Sequence, residues 1–162
     1  MSLILAPSPA QIAGGLPRWR DTLAHHYLRL GQASRRFRFL SALGDNGLRQ
    51  IARSAAPISV LGIEVDGEVR AVLEIFSLHE GHVEIGLSVE DAYQGRGFGK
   101  RLFLEGLSEA QRLGATTADV YFASDNARIK CLVASVGADI HYLGYGEARA
   151  EVDVTGALSP QM

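Results

Sequence analysis

At 162 residues and 17.4 kDa the chain is long enough for one hydrophobic core and short for two. Hydrophobic residues make up 47% and charged residues 21%, a globular balance that excludes disordered, fibrous and low-complexity classes. A net charge of −2 gives no overall attraction to nucleic acid, and a single cysteine, Cys131, excludes an intramolecular disulfide framework or a cysteine-held structural zinc.

Met1 to Pro17 is uncharged but broken by Pro7, Pro9, Gly14, Gly15 and Pro17. It lacks the basic start of a secretory leader and the run of about 20 apolar residues that crosses a membrane. The expected address is therefore cytoplasmic, with neither a membrane nor nucleic acid as partner. Residues 1–17 and 156–162 are expected as flexible tails of a single domain covering 1–162. The first 53 residues carry eight arginines against Asp21 and Asp45, which leaves the remainder acidic. Such asymmetry either steers charged partners or simply faces water.

Trp19, Leu23, Tyr27 and Leu30 recur at helical spacing. A second helix is expected around Ser34 to Leu43, burying Phe37 and Leu40, before Gly44-Asp45-Asn46-Gly47 punctuates the chain. The period then changes to two. Leu61, Ile63 and Val65 alternate up to Asp66-Gly67, a hairpin turn, and a second strand runs from Glu68 to about Ser77. After a loop holding His79, Glu80 and Gly81, a third strand places Val83, Ile85, Leu87 and Val89 on one face, with Glu84, Gly86 and Ser88 on the other.

Gly97 to Leu113 reads as a long helix with Leu102, Phe103, Leu107, Ala110 and Leu113 as its buried stripe, followed by a strand with Ala118, Val120 and Phe122. Ser124-Asp125 offers an N-cap for a helix from Asn126 that buries Ile129, Leu132, Val133 and Val136 and stops at Gly137. Ala148, Ala150, Val152 and Val154 mark a final half-exposed strand, available to pair across a homodimer. The order of elements defines an α+β (mixed α/β) domain around one sheet.

Chemistry concentrates between the third strand and the long helix, in Tyr93-Gln94-Gly95-Arg96-Gly97-Phe98-Gly99-Lys100-Arg101. Alternate glycines let backbone approach a ligand, and a helix N-terminus directs free N–H groups at an anion, most naturally a phosphate. A P-loop would need Gly at 94 and Ser or Thr at 101, where Gln94 and Arg101 stand. The dinucleotide fingerprint fails at Leu102 or Lys100, according to where it starts.

The stretch instead resembles the pyrophosphate signature Gln/Arg-x-x-Gly-x-Gly/Ala of the GNAT superfamily of N-acetyltransferases, matched by Gln94, Gly97 and Gly99. The resemblance extends over most of the chain. Within the superfamily, Ser34 to Phe39 and Ser124-Asp125-Asn126 look like the acetyltransferase domain of bacterial protein lysine acetyltransferases. It implies a central, mostly antiparallel sheet flanked by helices and splayed at a coenzyme slot. Acetyl-CoA would be the co-substrate, with no metal. The amides of Gly95, Arg96, Gly97, Phe98, Gly99 and Lys100 would hold its pyrophosphate, the backbone of Leu87, Ser88 and Val89 would pair with pantetheine, and Asn126 would contact the coenzyme.

The acceptor implied is an amine, either a small molecule or a protein lysine, attacking the thioester directly. Since a lysine-like amine has a pKa of about 10.4, a base must take its proton. Glu84, ten positions before Gln94 as the resemblance requires, is the candidate catalytic residue. Seven positions after Asn126, where many family members carry a tyrosine acid, stands Val133. Tyr121 and Tyr142 are alternatives, and Val133 also motivates a non-catalytic acyl-CoA sensor as the second reading. His79 and His82, lacking a third ligand, read as loop histidines. The neighbours His25 and His26 read as a partly exposed pair, and Cys131 as a buried, inert thiol.

Overall fold

A computed structural model describes residues 2–5 and 16–157. Residues 2–5, inside the stretch expected as a tail, form strand β1 (Ser2–Leu5), which pairs antiparallel with β2 (Ser59–Val65). Residues 16–17 of the first expected tail and 156–157 of the second are helical; the rest, residue 1 with 6–15 and 158–162, falls outside the described residues.

The helical spacing of Leu23, Tyr27 and Leu30 produces α1 (Leu16–Arg29), with all three residues buried. α2 (Gln32–Phe39) follows and ends where Leu40 turns left-handed. Contrary to the sequence expectation, α2 buries none of its residues, and Phe37 and Leu40 are only half-buried. The helix spans the mouth of a cleft rather than lying on closed sheet, so these side chains line a void. The Gly-Asp-Asn-Gly stretch starts a helix instead of separating two: α3 (Asp45–Ser54) has Gly44 as cap and Asp45 in its first turn, where the helix dipole favours a carboxylate.

β2 meets β3 (Glu68–His79) through Asp66 and Gly67, both at positive φ as a tight hairpin turn requires. β4 (His82–Val89) returns antiparallel to β3, pairing Glu74 with Gly86 and Phe76 with Glu84. The histidines expected in a loop lie on this hairpin, paired across it with rings 4.6 Å apart. α4 (Phe98–Arg112), β5 (Thr117–Ala123), α5 (Ala127–Ala134), β6 (Asp139–Gly144), β7 (Glu147–Asp153) and the short α6 (Val154–Ala157) complete the chain.

One seven-stranded sheet has the order β1-β2-β3-β4-β5-β7-β6. Its pairs are antiparallel except β4 with β5, which is parallel and holds only from His82–Thr117 to Glu84–Asp119. Beyond Glu84 the two strands part, which is the expected splay. β7 lies between β5 and β6, so both its edges are taken within the sheet and it cannot pair across a dimer as its alternation suggested. The outer strand at that end is β6, whose pairing shifts register between Tyr142 and Gly144.

Alternation along the strands divides the interior into two cores. Leu61, Ile63, Leu73, Ile75, Val83 and Ile85 face α4, where Leu102, Phe103 and Leu107 are fully buried. On the opposite face Val60 and Val72 pack with Leu23, Tyr27, Leu30, Leu48 and Ala52 from α1 and α3. In α5 only Val133 is fully buried, whereas Ile129, Leu132 and Val136 pack at the edge of the first core. Cys131 is exposed rather than buried, because it points away from that stripe.

Candidate active site

Where β4 leaves β5, Gly86 to Val89 keep β3 on one side and have no ladder to β5 on the other. Backbone polar groups along a free strand edge are ready to pair with an extended ligand. The side chain of Ser88 is turned away from that edge. It is buried, with its Oγ 2.8 Å from Nε2 of His26, so only its backbone serves the slot.

After β4 a single 3-10 turn, Asp91–Tyr93, leads into the glycine loop. Gly95 and Gly97 have φ of 74° and 82°, and a Cβ on either would meet nothing within 4 Å. Backbone conformation, not crowding, therefore calls for glycine here. Gly97 caps α4, whose first N–H groups open onto the loop. Gly99 is different, with ordinary backbone and a Cβ position 3.8 Å from Val89. Arg96 and Lys100 are exposed; the Arg96 guanidinium lies 4.9 Å from the centre of the Tyr93 ring, which stacks with Phe98. Gln94 faces inward: its amide donates to Ser34 Oγ (3.1 Å) and to the carbonyl of Val89 (3.0 Å), tying the loop to α2 and to the end of β4.

At the apex of the splay a cleft of 190 Å³ is lined by Glu84, Gly86 and Leu87 of β4, Arg38 and Phe37 of α2, and Tyr121 of β5, among others. Burial pushes the Glu84 carboxyl above its ordinary range, with the Asp119 and Glu74 carboxylates adding to the rise and Arg38 opposing it. A carboxylate so raised is a better proton acceptor than an exposed one. Asp119 is nearly fully buried, with His82 Nε2 at 3.0 Å and Arg149 at 3.5 Å from its Oδ2. Of the two tyrosines weighed as acids, Tyr121 lines the cleft, while Tyr142 is outside it and lies beneath Lys130. Val133 is wholly buried.

Two clusters of buried charge had no counterpart in the sequence reading. In the first, Glu74 accepts from the Tyr27 hydroxyl and from Arg38 Nη2, the latter at 2.6 Å. Its signal was a lone carboxylate inside the apolar run Ala71 to Phe76. In the second, Glu90 is held by Arg29 and by Arg70, the Arg70 contact being 3.1 Å, with His26 alongside. His26 is fully buried while His25 is exposed, which divides the expected pair. Burial, with Arg29 adding to it, drives the His26 pKa down to about 3, so the ring is neutral.

Asn126, not Ser124 or Asp125, caps α5: its Oδ1 accepts from the N–H of Ile129 at 3.3 Å. Asp125 instead reaches across to α2, where Arg36 Nη2 lies 2.7 Å from its Oδ2. Among the described residues no group of three or more histidine, cysteine, aspartate or glutamate side chains is placed to hold a metal ion, and no helix is long and apolar enough to cross a membrane.

Comparison with known proteins bears on this geometry directly. The family described as "Acetyltransferase (GNAT) family" matches residues 21–134. Among solved structures, the GNAT domain of S. lividans PAT is 18% identical, with 92% of this chain and 89% of that chain covered at a TM-score of 0.68. The yncA protein of Salmonella typhimurium, solved with its cofactor acetyl-CoA, is 16% identical, with 95% of each chain covered and a TM-score of 0.61. The ribosomal-protein-S18-alanine N-acetyltransferase of Escherichia coli is 13% identical, with 94% of each chain covered and a TM-score of 0.64. At these identities the likeness establishes the fold. No curated protein matches the sequence.

Proposed function

The chain belongs to the GNAT acetyltransferase family, and from that premise we propose that it transfers an acetyl group from acetyl-CoA to a primary amine, a small molecule or a protein lysine, in a ternary complex. The observation that carries this reading is the parting of β4 from β5 beyond Glu84, beside a glycine loop that opens the N-terminus of α4. Acetyl-CoA fits both features: its pyrophosphate suits the amides from Gly95 to Lys100, and its pantetheine amides suit the free edge from Gly86 to Val89. The match of Gln94 to the family signature is then structural, since its side chain ties the loop in place.

Glu84 takes the proton of the acceptor ammonium, directly or through water, and the neutral amine attacks the thioester carbonyl. The C–N bond forms as the C–S bond breaks, the electron pair leaves with the CoA sulfur, and the acylated nitrogen gives up its second proton to water to become the amide. A backbone N–H near Leu87 is suited to the developing oxyanion. With a thiol pKa near 8.5 by analogy with cysteine, the leaving thiolate can take its proton from water or from Tyr121.

Thermal unfolding with and without acetyl-CoA, with NAD and ATP as controls, tests the coenzyme assignment. At about 100 times Kd a native-state ligand adds roughly 2.7 kcal/mol, which raises the midpoint by several degrees. No rise at saturation would overturn it. Release of CoA across a panel of primary amines then separates transfer from the second reading, a non-catalytic acyl-CoA sensor, which the buried Val133 at the usual acid position favours.

A further inference from the structure

Gly86 is a seat. A Cβ built there would lie 2.2 Å from Nη2 and 2.4 Å from Cζ of Arg38, so the guanidinium occupies the space that a side chain at 86 would fill. Glu84 is two residues away on the same face of β4, and Glu74 stands opposite Gly86 on β3. Arg38 thus sits beside both carboxylates. Glu74, which Tyr27 also engages, holds it, its guanidinium lies 5.0 Å from the centre of the Phe39 ring, and its Nε has no hydrogen-bond partner. Both Arg38 and Glu84 line the cleft.

We propose that Arg38, clamped on Glu74 and seated over Gly86, is the positioning residue that holds the Glu84 carboxylate ready to take the acceptor's proton. This rests on the base role given to Glu84 above. Burial and two neighbouring carboxylates all favour the protonated acid, and a protonated Glu84 cannot act as base. Arg38 is the opposing charge. The groups that face Glu84 are Arg38 from α2, Glu74 from β3 with Tyr27 of α1 behind it, and Asp119 from β5, itself flanked by His82 and Arg149. Tyr121 lines the same cleft. Glu74 has two opposed effects: it anchors the guanidinium, and its own charge disfavours ionisation of Glu84.

The test is a titration of the whole chain carrying 13C-labelled glutamate carboxyls, the Glu84 signal being the one that Glu84→Gln removes. In Arg38→Met its midpoint moves up, and in Arg38→Lys it returns towards that of the parent. Gly86→Ala keeps every charge and displaces only the guanidinium, so it moves the midpoint up even if Arg38→Met fails to fold. A midpoint unmoved in Arg38→Met and in Gly86→Ala overturns the role of Arg38. Turnover of Glu84→Gln on the amine panel is a separate readout: wild-type rates there would remove Glu84 as base, whatever the titration shows.

Discussion

The two faces of the sheet are built to different rules. Against α4, the strands present Leu61, Ile63, Leu73, Ile75, Val83 and Ile85, and what is buried is overwhelmingly aliphatic or aromatic. Beneath α1 and α2 the same strands present Glu74 and Ser88, and His26 joins them from the helix side. Consecutive residues of β4 belong to opposite regimes, so Ile85 packs in the core and Glu84 lines the cleft. A sheet with period two lets one strand do both.

Breaking that comparison begins with Glu84→Gln, which should lower turnover by about 10²- to 10⁴-fold, with the melting curve unchanged; a comparable loss of stability would show that the reactive face also holds the fold together. On the other face, Phe103→Ala should cost about 3–5 kcal/mol in urea unfolding and leave acetyl-CoA affinity per folded molecule intact. The contrast also sharpens through pH. The folded pKa of His26 is depressed to about 3 from 6.5, so the unfolded chain binds the extra proton between those values. Its stabilising contribution is complete above pH 6.5 and is lost towards pH 3, at up to about 1.4 kcal/mol per pH unit. The difference between the parent and His26→Gln in unfolding free energy should therefore slope in that window and be flat above it. Smallest is Asn126→Ala, which removes the cap on α5 for about 1 kcal/mol; a marked loss of coenzyme affinity in that variant would add a ligand contact to its capping role.

Much of the fold was legible because its signals are local. Asp66-Gly67 fixed a hairpin, the stripe on α4 fixed its buried face, and the three-glycine loop located the helix N-terminus where an anion would bind. What escaped was non-local. Nothing around Arg38 announces that its partner is Glu74, since 36 residues separate them, and only the topology brings α2 over Gly86. His25 and His26 look alike in sequence, yet the rotation of about 100° between neighbours on a helix decides which is desolvated against β4. Phe37 and Leu40 read as core because hydrophobicity cannot distinguish a packed interior from the wall of a cleft. The alternating β7 read as an edge because alternation reports two unlike faces and says nothing about what lies beside a strand.

The register shift in β6 acts on self-association. A terminal strand offers unpaired amides and carbonyls to any passing chain and is a common starting point for aggregation. Here the shift between Tyr142 and Gly144, followed by Tyr145 at a φ of 51°, bends that strand before it can present a long straight edge. An incoming chain could zip only along Asp139 to Tyr142. Straightening the kink would lengthen that purchase beside the exposed Tyr142, Leu143 and Tyr145 at this rim.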